Sequence, residues 1–252
     1  MKPQFKEIVI VFLSLFLLSC TSGEINSETP ANPPFVTPPA TSVPTTPVSS
    51  SINYLALGDS YTIGQSVCET CRFPEQLKTS LKSIYPETSF SLKVIAATGW
   101  TTSNLISAIN TQNPGSNYDL VTLLIGVNNQ YQGRDFSIYE KEFPQLITKS
   151  IALAKGDKKN VIVLSIPDYA YTPFGKMSMN PEKISSEINQ YNTFAEKYCI
   201  MNGITFVSIT DITRQGLNNP ALVASDGLHP SESAYKMFVA RMLSQVKMAL
   251  QD

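Results

Sequence analysis

The run Asp226-Gly-Leu-His229 carries the only histidine of the 252-residue chain, three residues after an aspartate. Imidazole is the side chain whose ordinary pKa suits proton transfer near neutral pH, so base-assisted chemistry here has one unperturbed candidate. Far upstream, the apolar run Tyr54-Leu-Ala-Leu57 stops at Gly58-Asp59-Ser60. A hydroxyl, a base and a carboxylate that orients the base are the parts of a serine hydrolase. A short turn or a single helical turn at the Asp226–His229 spacing can bring the carboxylate onto Nδ1 of the ring, fixing its tautomer. A helix-capping role for Asp226 near Pro230 competes with this reading and is compatible with it. Asp59 is a tempting second carboxylate, but its place suggests a structural part that holds the turn of Ser60.

These residues need a scaffold, and the pattern around them supplies one. Short β-branched apolar runs at 52–57, 90–95, 120–125, 161–166 and 204–208 predict strands buried on both faces. Helical spacing separates them. Pro74 opens a helix with Leu77, Leu81 and Ile84, and residues 101–103 can cap one with Leu105, Ile106 and Ile109. Further helices are expected over 136–154, 181–201 and 231–250. The alternation predicts an α/β domain, a five-stranded and mostly parallel sheet between helical layers. Sites in such sheets gather at the C-terminal ends of the strands. Gly58-Asp59-Ser60 follows the first strand, Thr98-Gly99-Trp100 the second and Gly126-Val-Asn128-Asn129 the third, while 226–229 precedes the last helix. All four can share one rim.

As a set, these four segments resemble the motif blocks of the SGNH (GDSL-type) hydrolase family. The family's Ser, Gly, Asn and His match Ser60, Gly99, Asn128 and His229, and the resemblance runs from Tyr54 to the last helix. It implies a flavodoxin-like three-layer α/β/α sandwich and a serine esterase with no cofactor or metal. Ser60 would be the nucleophile, His229 the base and then the acid toward the leaving alkoxide, and Asp226 the carboxylate behind it. The backbone N–H groups of Ser60 and Gly99 and the amide of Asn128 would form the oxyanion hole. Glycine at 99 allows close approach to the main chain, and the following helix turns its positive end toward the site. One departure stands out: the family's third block ends in aspartate, and here Asn129 takes its place. Asparagine is nearly isosteric, so the change bears on local loop geometry.

The N-terminus reads as targeting sequence. Lys2 and Lys6 precede an apolar stretch, 8–18, broken only by Ser14. About eleven such residues suit a signal core and fall short of the roughly 20 that span a membrane. The stretch ends in Leu17-Leu18-Ser19-Cys20, which resembles a bacterial lipoprotein signal with Cys20 as the lipidated residue; an ordinary secretory signal is the alternative. Residues 21–51 are rich in Pro, Thr and Ser and poor in apolar side chains, as in a disordered tether of at most roughly 90 Å. A glycosylated stalk is a second reading of that composition. Residues 52–252 then form one domain. The whole implies an exported protein, lipid-anchored in the bacterial cell envelope.

With 19 basic and 20 acidic residues and no basic block, nothing points to nucleic acid. Cys68-Glu-Thr-Cys71 lies in a loop close to Ser60. A redox pair would open a helix directly after a strand, and zinc would need four ligands, drawing on Cys199 and His229. In an exported protein, a local disulfide between Cys68 and Cys71 is the favoured reading, with Cys199 a buried thiol. The substrate is nearly silent in the sequence. Trp100, Tyr61, Tyr131, Tyr169, Tyr171 and Phe174 are candidates to line a pocket. A short acyl ester on a carbohydrate or small alcohol is expected. A lysophospholipase- or thioesterase-like lipid hydrolase is the first rival, and a non-catalytic binding module the second.

Overall fold

A computed structural model describes residues 49–251. The signal segment, Cys20 and all but the last three residues of the expected tether lie outside them. In chain order the elements are β1 (Ser51–Gly58), α1 (Ser60–Ile63), α2 (Phe73–Ile84), β2 (Ser89–Ala96), α3 (Thr102–Gln112), β3 (Leu120–Leu124), α4 (Val127–Tyr131), α5 (Phe136–Leu153), β4 (Val161–Leu164), α6 (Pro173–Lys176), α7 (Pro181–Asn202), β5 (Thr205–Val207), α8 (Thr210–Thr213) and α9 (Glu232–Gln251). The five strands form one sheet in the order β2-β1-β3-β4-β5, and every neighbouring pair is parallel. Serines 49 and 50 already engage the start of β2, through Thr88 Oγ1 to the Ser49 carbonyl at 3.0 Å and the Ser89 N–H to the Ser50 carbonyl at 2.9 Å.

The strand order explains the layers. The chain steps from β1 outward to β2, then reverses across β1 to β3, β4 and β5. Right-handed crossovers therefore put α2 on one face and α3, α5 and α7 on the other. Packing follows suit: α2 lies against α9, while α5 packs against both α3 and α7. Every position of β3 and β4 is buried, as both-face coverage requires. β2 departs from the expectation of a strand buried on both faces. Of its eight residues only Ile95 is fully buried, and Lys93 is exposed, because β2 is the sheet edge.

The reversal point between β1 and β3 is where such sheets bind ligands. Register sharpens this. Gly58 at the end of β1 pairs with Ala96 on one side and Leu124 on the other. The loops carrying Ser60, Gly99 and Asn128 thus leave the sheet at the same level.

Candidate active site

The Ser60 segment is shaped by steric exclusion and a cap. A Cβ on Gly58 would stand 2.1 Å from Thr62 Oγ1 and 2.5 Å from the Leu124 carbonyl, so only glycine lets the chain fold back this tightly. Asp59 Oδ1 accepts the Tyr61 N–H at 3.0 Å and caps α1. Ser60 is the first residue of that helix and is nearly buried. Burial raises the Asp59 carboxyl to about 7, against the hydrogen bond from Tyr61 and weaker ones that lower it. Asp59 is thus built into the turn as the sequence suggested, fully buried and hydrogen-bonded to the Tyr61 N–H and the Asn128 side chain.

Two loops from neighbouring strands are clamped to each other beside it. Gly99 has φ +81°, a left-handed conformation, and a Cβ there would meet no atom within 4 Å, so its outer side is open. Asn128, in the first turn of α4, donates through Nδ2 to the Trp100 carbonyl at 3.0 Å. Its amide also hydrogen-bonds the Asp59 side chain, which ties the Ser60 turn to the Gly126–Asn129 loop. The neighbouring Asn129 is fully buried. Its Oδ1 accepts the Thr102 N–H at 3.0 Å, and its Nδ2 donates to Thr102 Oγ1 at 2.7 Å. Thr102 Oγ1 passes its own proton to Glu142 of α5 at 2.5 Å, where Ser103 also donates. Asparagine fits here because Thr102 can donate only one proton, and Glu142 takes it. An aspartate at 129 would face an acceptor with nothing to give.

The loop before α9 is held in a hairpin-like turn. Val223 bridges Pro230, the Ala224 N–H donates to the His229 carbonyl at 2.7 Å, and Gly227 adopts φ +72°. Within it, Asp226 uses both oxygens. Oδ1 accepts the N–H groups of Leu228 and His229 at 2.9 and 3.0 Å. Oδ2 pairs with His229 Nδ1 at 2.6 Å and accepts the Ser66 hydroxyl, also at 2.6 Å. Partial burial pushes the carboxyl up, but the Ser66, His229 and backbone hydrogen bonds together outweigh it and bring Asp226 down to about 2. It is a carboxylate at any working pH. The ring of His229 is almost buried and lies against Tyr61, with centroids 5.0 Å apart.

Ser60, Gly99, Asn128 and His229 all line one mostly apolar cavity of about 240 Å³. Tyr61, Tyr131, Tyr169, Phe174 and Leu228 complete most of its wall. No hydrogen bond joins Ser60 Oγ to His229; catalytic contacts of this kind often tighten only with substrate bound. Two expected pocket aromatics lie elsewhere. Trp100 packs against the core, and Tyr171 sits under Arg214, 5.9 Å from its guanidinium carbon. Cys68 and Cys71 form a disulfide, next to the turn that leads into α2. Cys199 is free and buried, and burial raises its thiol to about 12, so it is chemically quiet. Ser66 and the Thr102–Glu142 pair are supports that sequence reading missed. Ser66 has one local mark, φ +66° in a non-glycine residue, which only the backbone reveals.

A profile of the GDSL-like lipase/acylhydrolase family matches residues 56–237, which span Ser60 through His229. The chain belongs to this family. No curated protein matches it. Solved structures of GDSL hydrolases share its fold at low identity. An acetyl xylan esterase of Geobacillus stearothermophilus is 19% identical, with a TM-score of 0.61 over 79% of this chain and 96% of that one. A lipase/acylhydrolase of Enterococcus faecalis is 17% identical, with a TM-score of 0.62 over 78% and 96%. A lipolytic protein of the G-D-S-L family from Veillonella parvula is 18% identical, with a TM-score of 0.59 over 76% and 96%. This GDSL hydrolase is thus an α/β enzyme of the lipase/acylhydrolase class. Among the described residues no helix is long and apolar enough to cross a membrane, and no His, Cys, Asp and Glu cluster could hold a metal ion.

Proposed function

We propose that this hydrolase is a serine esterase that removes short acyl groups, acetyl foremost, from carbohydrate or small-alcohol esters. The observation that carries the reading is the shared cavity: Ser60, Gly99, Asn128 and His229 on one wall, with Asp226 on the ring nitrogen facing away from it. His229 takes the Ser60 hydroxyl proton on Nε2 as Oγ bonds to the ester carbon. The carbonyl oxygen becomes an oxyanion, met by the Ser60 and Gly99 N–H groups and the side-chain amide of Asn128. Asp226 keeps the proton on Nδ1 and stabilises the imidazolium. The imidazolium then protonates the leaving alkoxide as its C–O bond breaks, giving the alcohol and an acyl-Ser60. Water repeats the sequence: its proton goes to His229, its oxygen bonds to the acyl carbon, and the C–Oγ bond breaks. The proton returns to Ser60 and the carboxylic acid departs.

Small-molecule pockets usually measure about 300–1,000 Å³, and this one falls below that range, which favours a short acyl group. The acetyl xylan esterase of the same fold offers a precedent for acetylated glycans. The lipoprotein-like signal ending at Cys20 and the tether over 21–51 support an exported enzyme, lipid-anchored in the cell envelope, where it would meet such polymers. The test is acetate release from acetylated glycans, beside p-nitrophenyl acetate and octanoate. Acetate turnover that Ser60→Ala and His229→Ala both abolish is expected. A preference for octanoate would move the enzyme to lipid substrates. A folded protein that turns over no ester would leave a binding module.

A further inference from the structure

Next to the Ser60 cavity lies a larger one of about 750 Å³, between the end of α4, α6 and the first half of α7. The two share the side chains of Tyr131, Tyr169 and Phe174. Tyr131 is 57% exposed and stands as a ridge between them, its ring centroid 5.8 Å from that of Tyr169 and 6.1 Å from that of Phe174. Past the ridge the lining is mixed: Gln130, Arg134, Lys183, Glu187 and Gln190 stand beside Phe136, Met177, Ile184 and Tyr191. Gln130 Nε2 donates to Glu187 at 2.8 Å, and Lys183 pairs with the other Glu187 oxygen at 3.6 Å, so the floor is an ordered polar surface.

The chemistry of this lining selects its occupant. An acyl chain laid here would cover three charged side chains and the amides of Gln130 and Gln190 with methylene groups, and uncompensated burial of polar groups is costly. A sugar chain offers hydroxyls to the amides and charges and presents C–H faces to the aromatic ridge. We propose that the larger cavity is the leaving-group subsite, holding the carbohydrate chain while Tyr131 sets its ester over Ser60. This rests on the esterase reading above. It assigns the acyl group to the small apolar cavity and the alcohol to the larger, more polar one, and it makes the enzyme selective for oligosaccharides over simple acetates.

The test uses a panel of O-acetylated xylo-, manno- and gluco-oligosaccharides with p-nitrophenyl acetate as reference. Tyr131→Ala and Gln190→Trp, both at exposed positions, should lower kcat/KM on the preferred oligosaccharide about tenfold more than on the reference, mainly through KM; tenfold corresponds to about 1.4 kcal/mol. Tyr131→Phe should restore most of the loss. Calorimetry on Ser60→Ala should show binding of that oligosaccharide, weakened by adding Tyr131→Ala. Equal losses on both substrates, or no binding of any oligosaccharide to Ser60→Ala, would overturn the subsite while leaving the esterase intact. Full turnover of p-nitrophenyl acetate by Ser60→Ala would instead overturn the esterase reading itself.

Discussion

Replacing Asp226 by asparagine tests the proposed base at the level of a single proton. Asp226 Oδ1 holds the Leu228 and His229 N–H groups, and Oδ2 holds His229 Nδ1 and the Ser66 hydroxyl. An asparagine must choose which side keeps its oxygen. Placing NH₂ at the Oδ1 side would lose two backbone hydrogen bonds of about 0.5–1.5 kcal/mol each, so about 1–3 kcal/mol favours the oxygen staying there. The amide NH₂ then faces His229 Nδ1, which must present a lone pair. The ring proton moves to Nε2, the nitrogen that has to accept the Ser60 proton. A carboxylate-to-amide change of this kind in a Ser-His-Asp triad costs about 10⁴ in kcat through the wrong tautomer. Steady-state kinetics of Asp226→Asn on p-nitrophenyl acetate should show that loss in kcat with little change in KM. Asp226→Ala, which has no amide to trap the ring, should be at least as active as Asp226→Asn. A folded Asp226→Asn within about tenfold of the unmodified enzyme would refute the reasoning.

The same carboxylate predicts an acid limb of stability. Asp226 titrates near 2 in the fold against an ordinary 3.8. Because the folded value is depressed, its contribution is present above about pH 4 and is lost as pH falls toward 2. With the side chain 28% exposed, the screened contribution is about 1 kcal/mol, so the urea-stability gap to Asp226→Asn should shrink between pH 5 and pH 2.5. Asn128→Ala should lower kcat by about 10²–10³, as loss of one oxyanion donor does elsewhere, with KM nearly kept; an undiminished kcat would remove Asn128 from the mechanism. Asn129→Asp sets two carboxylates against one Thr102 proton and should cost about 1–3 kcal/mol, read as a melting temperature about 2–4 °C lower per kcal/mol. Adding Glu142→Gln, which can donate to Thr102, should recover part of it. No recovery would mean that the Thr102 proton is not the issue.

Local sequence carried the fold wherever local physics decides it. The runs at β3 and β4 are apolar at every buried position except Thr122, and Pro74, Leu77 and Leu81 mark α2 with the buried face it uses. β2 reads as a strand buried on both faces because its residues 90–95 look like the other runs, whereas being at the edge is a property of strand order. The four polar blocks were legible for a related reason. Each adjoins an element boundary, so reading the strands also located the rim. The supports were not. Ser66 meets Asp226 across 160 residues, and Glu142 reaches Thr102 across 40. A serine and a glutamate on exposed-looking segments carry no sign of such a partner until the chain is folded.

The same distinction separates the reaction from its substrate. Ester cleavage needs a few atoms held at one point, and Gly58, Gly99 and Asn128 are each confined there by a clash, a left-handed turn or a clamp. Recognising an alcohol spreads over many weak contacts, so the residues of the proposed subsite lie on and beside α4, α6 and α7 in types common on any solvated helix. Yet the two halves are mechanically joined. The Phe174 N–H donates to the Gly227 carbonyl at 2.9 Å, tying the start of α6 to the loop that carries Asp226 and His229. An occupant pressing on Phe174 therefore presses on the base's own loop, one hydrogen bond away. That hydrogen bond is where the proposed alcohol subsite meets the loop of the proposed base in the backbone.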